Sequence, residues 1–335
     1  MSTPPVAVVM DWGGTWARTA VVNRQGDILW QSREPNPQGG TKEEYLGNAE
    51  RLLTTAIEQA GASPIVGIGA AVAGPVEPTT GTFYQPPNLK VLDGVSFNAL
   101  WEEKFSLPVR VGNDANLAAM GEYYFGAGKQ SADQGSPVKT LFYITVSTGV
   151  GGGAVDKGSP FMGANGLTGE IGHTLVDSTE AALTCECGSR GCLETRASGT
   201  NIARIAKQRV ASGEFPKSAL SAIDPAALDS VAVFNAAETH DPLAMSIVDG
   251  VVSALSVGLT NVVHLFNPNM IVLGGGVTVG LVKLDLLKRI QEQISARAMS
   301  ELHKEFLLTS AVLGDSVGLV GAASLIWEQL GADSH

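Results

Sequence analysis

Two apolar segments flank a glycine turn near the amino terminus, in the sequence VAVVMDWGGTWARTAVV (Val6–Val22). Both segments have the length and the β-branched content of strands, and the turn Asp11–Thr15 between them contains two adjacent glycines. A second unit of the same kind follows later in the chain, where the apolar Leu141–Val146 leads into Ser147–Gly153. The similarity of the two units indicates a duplicated βββ-type module.

Strand-like and helical segments alternate along the rest of the chain, as is typical of an α/β protein. Further strands are predicted at Ile28–Gln31, Ile65–Val72, Val109–Val111 and Met270–Leu273. Helices are predicted at Glu43–Ala60, Leu117–Phe125, Asn201–Ser212, Leu243–Phe266, Leu281–Met299 and Gly318–Leu330. We expect the polar segment Gly126–Thr140 to be an exposed loop, and Pro216–Pro242 to form short helices and loops.

The composition is that of a compact protein with about two domains. A chain of 335 residues exceeds the usual size of a single core, and its hydrophobic fraction of 44% is sufficient to build two. The net charge of −11, without any run of basic residues, argues against a nucleic-acid partner. Met1–Asp11 lacks the basic region of a signal peptide, and no uncharged apolar run of about 18 residues is evident. We therefore predict a cytoplasmic protein without a membrane segment.

All three cysteines lie in one short stretch, Cys185, Cys187 and Cys192. Three thiols cannot all pair internally, and two glycines between them allow the sharp loop that a tetrahedral Zn²⁺ site requires. The fourth ligand must come from elsewhere, and His173 is the nearest histidine in sequence. The alternative is that the cysteines are buried apolar residues or a redox pair. The more distant histidines are His240, His264, His303 and His335.

Three glycine turns each follow an apolar strand, at Gly13–Gly14, at Gly149–Gly153 and at Gly274–Gly276. Exposed backbone N–H groups in such turns bind phosphate, because no side chain keeps the anion away. The hydroxyls of Thr15 and Thr148 lie beside two of them. None matches a Walker A loop or a dinucleotide fingerprint, so a nucleotide grip of another type is predicted. The alternative is that the glycines serve the turns alone.

Two aspartates follow predicted strands and carry candidate chemistry. Asp11 ends the first strand, where it would hold Mg²⁺ through water or simply cap the turn. Asp114 follows Asn113 at the start of a predicted helix, where it would act as a general base or as an ordinary helix N-cap.

An imidazole and two glutamates surround the cysteine loop in sequence. Glu170 precedes His173 by three residues, so one helical turn would present both on one side, and Glu194 follows Cys192 by two. If His173 binds zinc through one ring nitrogen, the other remains available for a hydroxyl or a carbonyl. The zinc would then be structural, and the polar groups around it suit a sugar; alternatively, both glutamates are solvated surface residues.

With these motifs assembled, nearly the whole chain resembles the ROK family (repressors, open reading frames, kinases), whose kinases have an actin-like ATPase fold. Cys185–Glu194 resembles the family's zinc signature CxCGxxGCxE and is preceded by Gly169–His173. Asp11–Thr15 resembles its first phosphate motif, DxGGT, and Thr148–Gly151 its second. Gly274–Gly276 resembles its adenosine-contacting turn.

The resemblance implies an α/β protein of the actin-like ATPase (ribonuclease H-like) fold. Two domains, each with a mixed central sheet and flanking helices, would surround an interdomain cleft. The smaller domain would comprise residues 1–115 and 317–335, and the larger one, with the zinc loop, residues 116–316. The implied activity is phosphorylation of a hexose, first of all glucose, at its 6-hydroxyl by ATP with Mg²⁺, in a homodimer or homotetramer.

The resemblance also assigns roles to individual residues. Asp114 would be the catalytic base. The sugar would be bound by Gly74, Asn88, Asn113, Asp114, Glu170, His173 and Glu194. Zinc would be held by His173, Cys185, Cys187 and Cys192. The nucleotide and its Mg²⁺ would be bound by Asp11, Gly13, Gly14, Thr15, Thr148, Gly149, Gly151, Gly274, Gly275 and Gly276.

Alternatives for the acceptor, the donor and the function stay open, and the chain departs from the family's pattern in two places. The acceptor could instead be N-acetylmannosamine, N-acetylglucosamine or fructose, the donor polyphosphate, and the protein a non-catalytic sugar-binding regulator. Because the first strand begins at Val6, the amino-terminal helix-turn-helix of regulatory members is not expected. Trp12 and Trp16 stand where relatives more often carry a small aliphatic residue and an asparagine, and 126–140 resembles an insertion.

Overall fold

The computed structural model describes residues 3–86 and 88–332 as strands, helices and connecting loops. The strands are β1 (Val6–Trp12), β2 (Trp16–Asn23), β3 (Ile28–Pro35), β4 (Ile65–Val72), β5 (Val76–Glu77), β6 (Thr82–Phe83), β7 (Val109–Asn113), β8 (Thr140–Val146), β9 (Val150–Asp156), β10 (Ser159–Pro160), β11 (Met270–Gly274) and β12 (Leu307–Ser310). The helices are α1 (Lys42–Gln59), α2 (Phe97–Phe105), α3 (Asp114–Tyr124), α4 (Ala127–Asp133), α5 (Glu194–Ala197), α6 (Gly199–Ala211), α7 (Ser230–Glu238), α8 (Pro242–Phe266), α9 (Gly276–Lys283), α10 (Leu286–Arg297) and α11 (Val317–Ala332).

Two five-stranded sheets share one strand order. The first runs β3-β2-β1-β4-β7 and the second β10-β9-β8-β11-β12, so each strand of one sheet has a counterpart in the other. In the first sheet β1 is antiparallel to β2 and parallel to β4, and β4 is parallel to β7. In the second, β11 is parallel to both β8 and β12. The common order confirms the duplicated module that the two strand-and-glycine units predict.

The chain divides into two compact units. The first contains the residues up to Val138, Gly153–Thr168 and the residues from Val312 onward, and the second contains Lys139–Gly152 and Gly169–Ala311. The first unit includes α3, which follows β7 directly. The predicted domain limits, residues 1–115 with 317–335 and residues 116–316, stay a prediction.

The core of the first unit contains a cluster of four aromatic side chains under β1. Trp12 is 1% exposed and lies 5.7 Å from Phe97, 6.0 Å from Trp101 and 6.3 Å from Phe83 between ring centroids. Aromatic rings at these separations contribute beyond their buried area. Trp12 therefore anchors the end of β1, directly before the first glycine turn, in the core.

Helix α11 packs closely against α3 because both helices present glycines at the contact. A Cβ added at Gly321 would overlap the carbonyl oxygen of Leu117, and one added at Gly121 would lie 3.1 Å from the backbone nitrogen of Gly321. The same helix packs on β4, where a Cβ at Gly69 would overlap the carbonyl of Ala322. These glycines permit a backbone approach that no larger residue allows.

Helix α8 is the central helix of the second unit, and most of its residues are buried. It is also long and apolar enough to span a membrane. The expectation that no segment approaches such length and composition is therefore wrong. Because the greater part of its most apolar stretch is buried inside the protein, α8 has the burial expected of a core helix.

The structure differs from several predicted segments, among them β3, which runs to Pro35 instead of ending at Gln31. The segment 126–140 is not a plain loop, because its first half forms α4, whose first N–H is accepted by the buried carboxylate of Glu122. The predicted helix Leu281–Met299 is two helices, α9 and α10, separated at Asp285, which has a left-handed backbone conformation (φ 53°). Finally, β7 extends to Asn113 and α3 begins at Asp114, three residues before the predicted start.

We predict that Gly321→Ala lowers the free energy of unfolding by about 1–3 kcal/mol, the usual cost of overpacking, because the new methyl group overlaps the Leu117 carbonyl. The matched control is Gly250→Ala in α8, where a Cβ meets no atom within 4 Å. That substitution should raise stability by about 0.4–1 kcal/mol, since it reduces the entropy of the unfolded chain. Urea denaturation of the three proteins measures both changes, and equal stabilities would contradict the packing described.

Candidate active site

The first glycine turn is held in place by Asn36, a side chain that is 3% exposed. Its Nδ2 donates to the carbonyl oxygens of Gly13 (2.5 Å) and Gly14 (3.2 Å), and its Oδ1 accepts the indole N–H of Trp12 at 3.0 Å. Its backbone N–H also donates to the carbonyl of Thr15 at 2.8 Å. Asn36 therefore holds three carbonyl groups of the turn, and its bond to Trp12 joins the turn to the aromatic core.

Asp11 is largely buried at the end of β1 and forms an ion pair with Arg18. Burial raises the pKa of the Asp11 carboxyl, and the Arg18 guanidinium opposes that rise. A Cβ added at Gly318, in the first turn of α11, would lie 2.6 Å from the Asp11 carboxylate. The start of α11 therefore lies against Asp11, where the helix dipole favours a negative charge.

A pocket of about 380 Å³ opens beside this ion pair in the first unit. Asp11, Arg18 and the turn residue Thr15 line it, together with Trp16 and Arg33. The Arg33 guanidinium lies 4.1 Å from the centroid of the Trp16 ring, which is 40% exposed. Trp12 thus packs beneath the turn, whereas Trp16 forms a wall of the pocket.

Asn113 and Asp114 connect β7 to α3, and Asn113 is the helix N-cap. Its Oδ1 accepts the N–H groups of Ala115 (3.0 Å) and Asn116 (3.2 Å), and its Nδ2 donates to the carbonyl of Gly74 at 3.2 Å. Asp114 is the first helical residue, and its Oδ1 accepts the N–H of Ala115 at 2.8 Å. The alternative in which Asp114 is the N-cap is therefore wrong. Its carboxylate lies in the first turn of α3, where the helix dipole stabilises the ionised form.

Two further predicted sugar ligands lie in the same unit. An added Cβ on Gly14 would lie 2.7 Å from the Cβ of Asn88, so the exposed Asn88 lies against the first glycine turn. Gly74 has a φ of 141°, and its carbonyl is bonded to Asn113. In the first unit, predicted ligands are therefore in contact in two pairs. One pair is Gly14 with Asn88, and the other is Gly74 with Asn113.

In the second unit the structure brings the four predicted metal ligands together. One donor atom each of His173, Cys185, Cys187 and Cys192 lies within 4.8 Å of the others. The Sγ of Cys185 is 3.7 Å from Nδ1 of His173, and the Sγ atoms of Cys187 and Cys192 are 3.7 Å apart. A zinc tetrahedron with Zn–S bonds of about 2.3 Å has edges of about 3.8 Å, so these separations fit.

The remaining histidines are not part of this cluster. His240, His264 and His303 lie elsewhere in the described chain, and His335 lies outside the described residues. Nδ1 is the ring nitrogen of His173 that faces Cys185.

The thiols of the loop differ in their acidity. Burial raises the pKa of Cys192 to about 12 and also raises that of Cys185. The backbone N–H of Ser189 lowers the pKa of Cys187. Burial therefore favours the protonated thiols of Cys185 and Cys192 over their thiolates.

Glu194 connects the cysteine loop to the second glycine turn. Its Oε2 accepts the backbone N–H of Val150 at 2.8 Å, and its Oε1 lies 4.0 Å from the Sγ of Cys185. A Cβ added at Gly149 would lie 2.8 Å from the same Oε2. A glycine at this position leaves space for the carboxylate, so Gly149 also has a structural role.

Glu170 lies one turn before His173, as the spacing predicts. Its carbonyl accepts the N–H of His173 at 3.1 Å, across the 3₁₀ turn Ile171–His173, and its side chain is exposed.

The three glycines after β11 have different environments. A Cβ at Gly274 would overlap the hydroxyl of Tyr143, and Gly275 has a φ of 88° with the backbone of Val146 close by. A Cβ at Gly276 would meet no atom within 4 Å. The first two glycines therefore serve packing and backbone conformation, and Gly276 alone faces open space.

That open space is a second pocket of about 380 Å³, contained within the second unit. Its walls are the start of the second glycine turn, the amino-terminal part of α6, and the helices α7 and α9. Helices α7 and α9 are close together there, because a Cβ at Gly280 would overlap the ring of Phe234. The polar lining residues are Ser147, Thr148, Thr200, Asp229, Ser230, Asn235 and Lys283. Of these only Thr148 was predicted from sequence.

The residues that sequence analysis missed are those whose partners are distant in the chain. Asn36 contacts a turn more than twenty residues away, and nothing in its local sequence indicates that contact. Arg18 lies opposite Asp11 through the antiparallel register of β1 and β2, which the sequence does not specify by itself. Asp229 and Asn235 lie in Pro216–Pro242, the segment with the weakest pattern in the sequence.

Two mixed sheets of identical strand order, with flanking helices, define an α/β protein of the actin-like ATPase fold. This is the fold class that the sequence predicts.

The chain belongs to the ROK family, whose sequence profile matches residues 7–329. It is 35% identical to a glucokinase of Halalkalibacterium halodurans over 334 residues, which covers 96% of this chain and 95% of that protein. It is 29% identical to a putative xylose repressor of a Caldicellulosiruptor species, covering 95% of this chain and 77% of the repressor. A crystal structure of a ROK family glucokinase from Streptomyces griseus, in complex with glucose and AMPPNP, superposes with a TM-score of 0.73 at 28% identity, covering 96% of this chain and 99% of that one.

We predict that Asn36→Ala lowers the free energy of unfolding by about 1–3 kcal/mol, because the buried indole N–H of Trp12 loses its acceptor. Asn23→Ala is the matched control, since Asn23 makes three hydrogen bonds at an exposed turn where water replaces them. Urea denaturation followed by tryptophan fluorescence measures both. An Asn36→Ala protein as stable as the control would show that the turn does not depend on this side chain.

Proposed function

We propose that this protein is a hexokinase-type enzyme that transfers the γ-phosphoryl group of ATP to the 6-hydroxyl of glucose. The observation that carries the proposal is the position of Asp114. Asn113 caps α3, so Asp114 occupies the first helical turn, in the same unit as the first glycine turn. Membership of the ROK family and the likeness to glucokinases support the same conclusion.

Asp114 acts as the general base. The 6-hydroxyl oxygen attacks the γ-phosphorus in line, its proton passes to the Asp114 carboxylate, and ADP leaves with the electron pair of the broken P–O bond. Little covalent chemistry falls to the protein in such a transfer, so positioning and electrostatic stabilisation supply most of the rate. The proposed sugar ligands are Gly74, Asn88 and Asn113 in the first unit, and Glu170, His173 and Glu194 in the second.

The proposed donor ligands are the glycine turn of the first unit and, in the second unit, its glycine turn and its pocket. The turns Gly13–Thr15 and Thr148–Gly151 contact the phosphates, and the pocket beside Gly276 takes the nucleoside. Bound Mg²⁺ would neutralise developing phosphate charge, and Asp11 is the carboxylate placed to hold it.

A zinc ion held by His173, Cys185, Cys187 and Cys192 has a structural role in this proposal. The donor set and its separations support zinc, and the ion would stabilise the thiolates and fix the loop. Glu194 and His173 then keep one orientation, because each is attached to that loop. The proposal further includes a cytoplasmic location and assembly as a homodimer or homotetramer, which light scattering tests.

The test of the function is a panel of acceptors and donors with the purified protein. We expect ATP with glucose to give the highest kcat/KM. Coupled ADP release compares glucose with N-acetylmannosamine, N-acetylglucosamine and fructose, and formation of glucose 6-phosphate compares ATP with polyphosphate as donor. The relationship to a xylose repressor makes a sugar-binding regulator the second candidate. Glucose binding by calorimetry without any phosphorylation would favour that candidate and reject the kinase.

We predict that Asp114→Asn lowers kcat at least about a hundredfold, the scale of a lost general base. The KM for glucose should stay near that of the wild type, because the asparagine oxygen still accepts the Ala115 N–H. Asp224→Asn is the matched control. The Asp224 carboxylate likewise accepts a backbone N–H, that of Ala226, but it does so at an exposed turn. Turnover in Asp114→Asn equal to that of the control would remove Asp114 from the role.

We predict that Cys187→Ser reduces the zinc content at least about tenfold and lowers the melting temperature, because one of four ligands is lost. Ser189→Ala in the same loop is the control and should keep one zinc per chain. Elemental mass spectrometry and differential scanning calorimetry give the two quantities. Unchanged metal content and melting temperature would count against a structural metal site.

A further inference from the structure

The pocket beside the first glycine turn contains two arginines that the proposed function does not use. The β-sheet register places Asp11 opposite Arg18, and Arg18 opposite Arg33, so three charged residues form one row across β1, β2 and β3. All three line the pocket, together with Thr15 and Trp16. Residues directly opposite each other on antiparallel strands project to the same face of the sheet, so their charges interact.

The two arginines are held by different partners. Arg33 is exposed, and its guanidinium lies 4.1 Å from the centroid of the Trp16 ring. Arg18 is about two thirds buried, and donates one amino group to the Asp11 carboxylate and the other to the carbonyl of Asp315 at 2.6 Å. Like charges in opposite positions destabilise a sheet, and these separate contacts offset that cost. Arg18 is thus fixed at the turn and Arg33 is directed towards Trp16.

We propose that Arg18 is a catalytic residue that contacts the phosphoryl group during its transfer. This inference rests on the proposed function, because it concerns the same reaction. Arg18 lines the same pocket as Gly13 and Thr15 of the first phosphate turn. Its planar fork of N–H donors matches the equatorial oxygens of a phosphoryl group, and a point charge does not provide that geometry.

A contact from Arg18 leaves the bonds that form and break in the proposed phosphoryl transfer unchanged. The bond from the sugar O6 to the γ-phosphorus forms as the bond to the ADP oxygen breaks, and the hydroxyl proton goes to Asp114. Arg18 keeps its own proton throughout and only donates hydrogen bonds to the phosphoryl oxygens, on which charge is spread in the transition state. Because Asp11 and the Asp315 carbonyl already fix the guanidinium, little reorganisation is needed when the phosphoryl group arrives.

The first experiment compares steady-state kinetics of the wild type, Arg18→Gln, Arg18→Lys and the control Arg33→Gln. Arg18→Gln should lower kcat about 10²–10³-fold, the range for a lost donor to transition-state charge, with the KM for glucose within about threefold. Arg18→Lys keeps the charge opposite Asp11 but lacks the fork, so it should still lose about tenfold or more. Arg33→Gln should stay within about threefold of the wild type. A kcat for Arg18→Gln within threefold of the wild type, or equal losses in Arg18→Gln and Arg33→Gln, would overturn the proposal.

The second experiment does not depend on turnover. Sodium tripolyphosphate is titrated against each protein while tryptophan fluorescence is followed, since Trp12 and Trp16 flank the turn. Arg18→Gln should weaken tripolyphosphate binding about tenfold or more, and a purely structural Arg18 would lower the melting temperature without changing that affinity. Unchanged affinity in a folded Arg18→Gln protein rejects the proposal. If Arg18→Gln does not fold, Arg18→Lys with the kcat of the wild type rejects it instead. A wild type that phosphorylates no hexose would reject the proposed function. The tripolyphosphate titration would still show whether Arg18 binds a phosphoryl group.

Discussion

The hydrogen bond from the Val150 N–H to the Glu194 carboxylate is the contact on which the second unit's site depends. One oxygen of that carboxylate is occupied by the second glycine turn, and the other lies beside Cys185 of the cysteine loop. The cysteine loop and the second glycine turn, far apart in sequence, are therefore joined through one side chain. The glycine at position 149 follows from this contact, because a larger residue would displace the carboxylate. Any ligand that orders the cysteine loop should thus also order the turn.

The first unit applies the same physical rule with different residues. A turn that exposes backbone groups to a ligand needs other polar groups to hold its remaining atoms. Asn36 holds the carbonyls of Gly13 and Gly14, and the indole of Trp12 holds Asn36. Asn113 performs the corresponding task at the start of α3. In each case the hydrogen bonds of an asparagine fix a neighbouring element: Asn36 fixes the first glycine turn, and Asn113 fixes the start of α3 that carries Asp114.

Much of the fold could be predicted from local sequence patterns. The strand Ile65–Val72 is confirmed residue for residue, because a fully apolar segment that ends in glycine and proline has few other solutions. The duplicated module is confirmed because the glycine turns after β1 and β8 mark equivalent places in the two sheets. Helix α4 and the break between α9 and α10 could not be predicted. The first depends on the buried Glu122, and the second on a left-handed residue in a sequence without glycine.

The site was predictable to the extent that its residues cluster in the sequence. The three cysteines and His173 are close in the chain and close in space. Asp114 was left between two roles, and only the hydrogen bonds of Asn113 show that it is not the helix cap. The ion pair of Asp11 with Arg18 and the stacking of Arg33 on Trp16 follow from strand register, which the sequence does not specify by itself.

The central claim is that a bound divalent ion fixes the sugar-binding groups of the second unit. The most direct test is calorimetric titration of glucose into the purified protein, before and after a chelator removes its metal, and again after one equivalent of Zn²⁺ is returned. The account predicts that glucose binding is lost with the metal and restored with it. Glucose affinity that is the same in the metal-free protein would contradict the account.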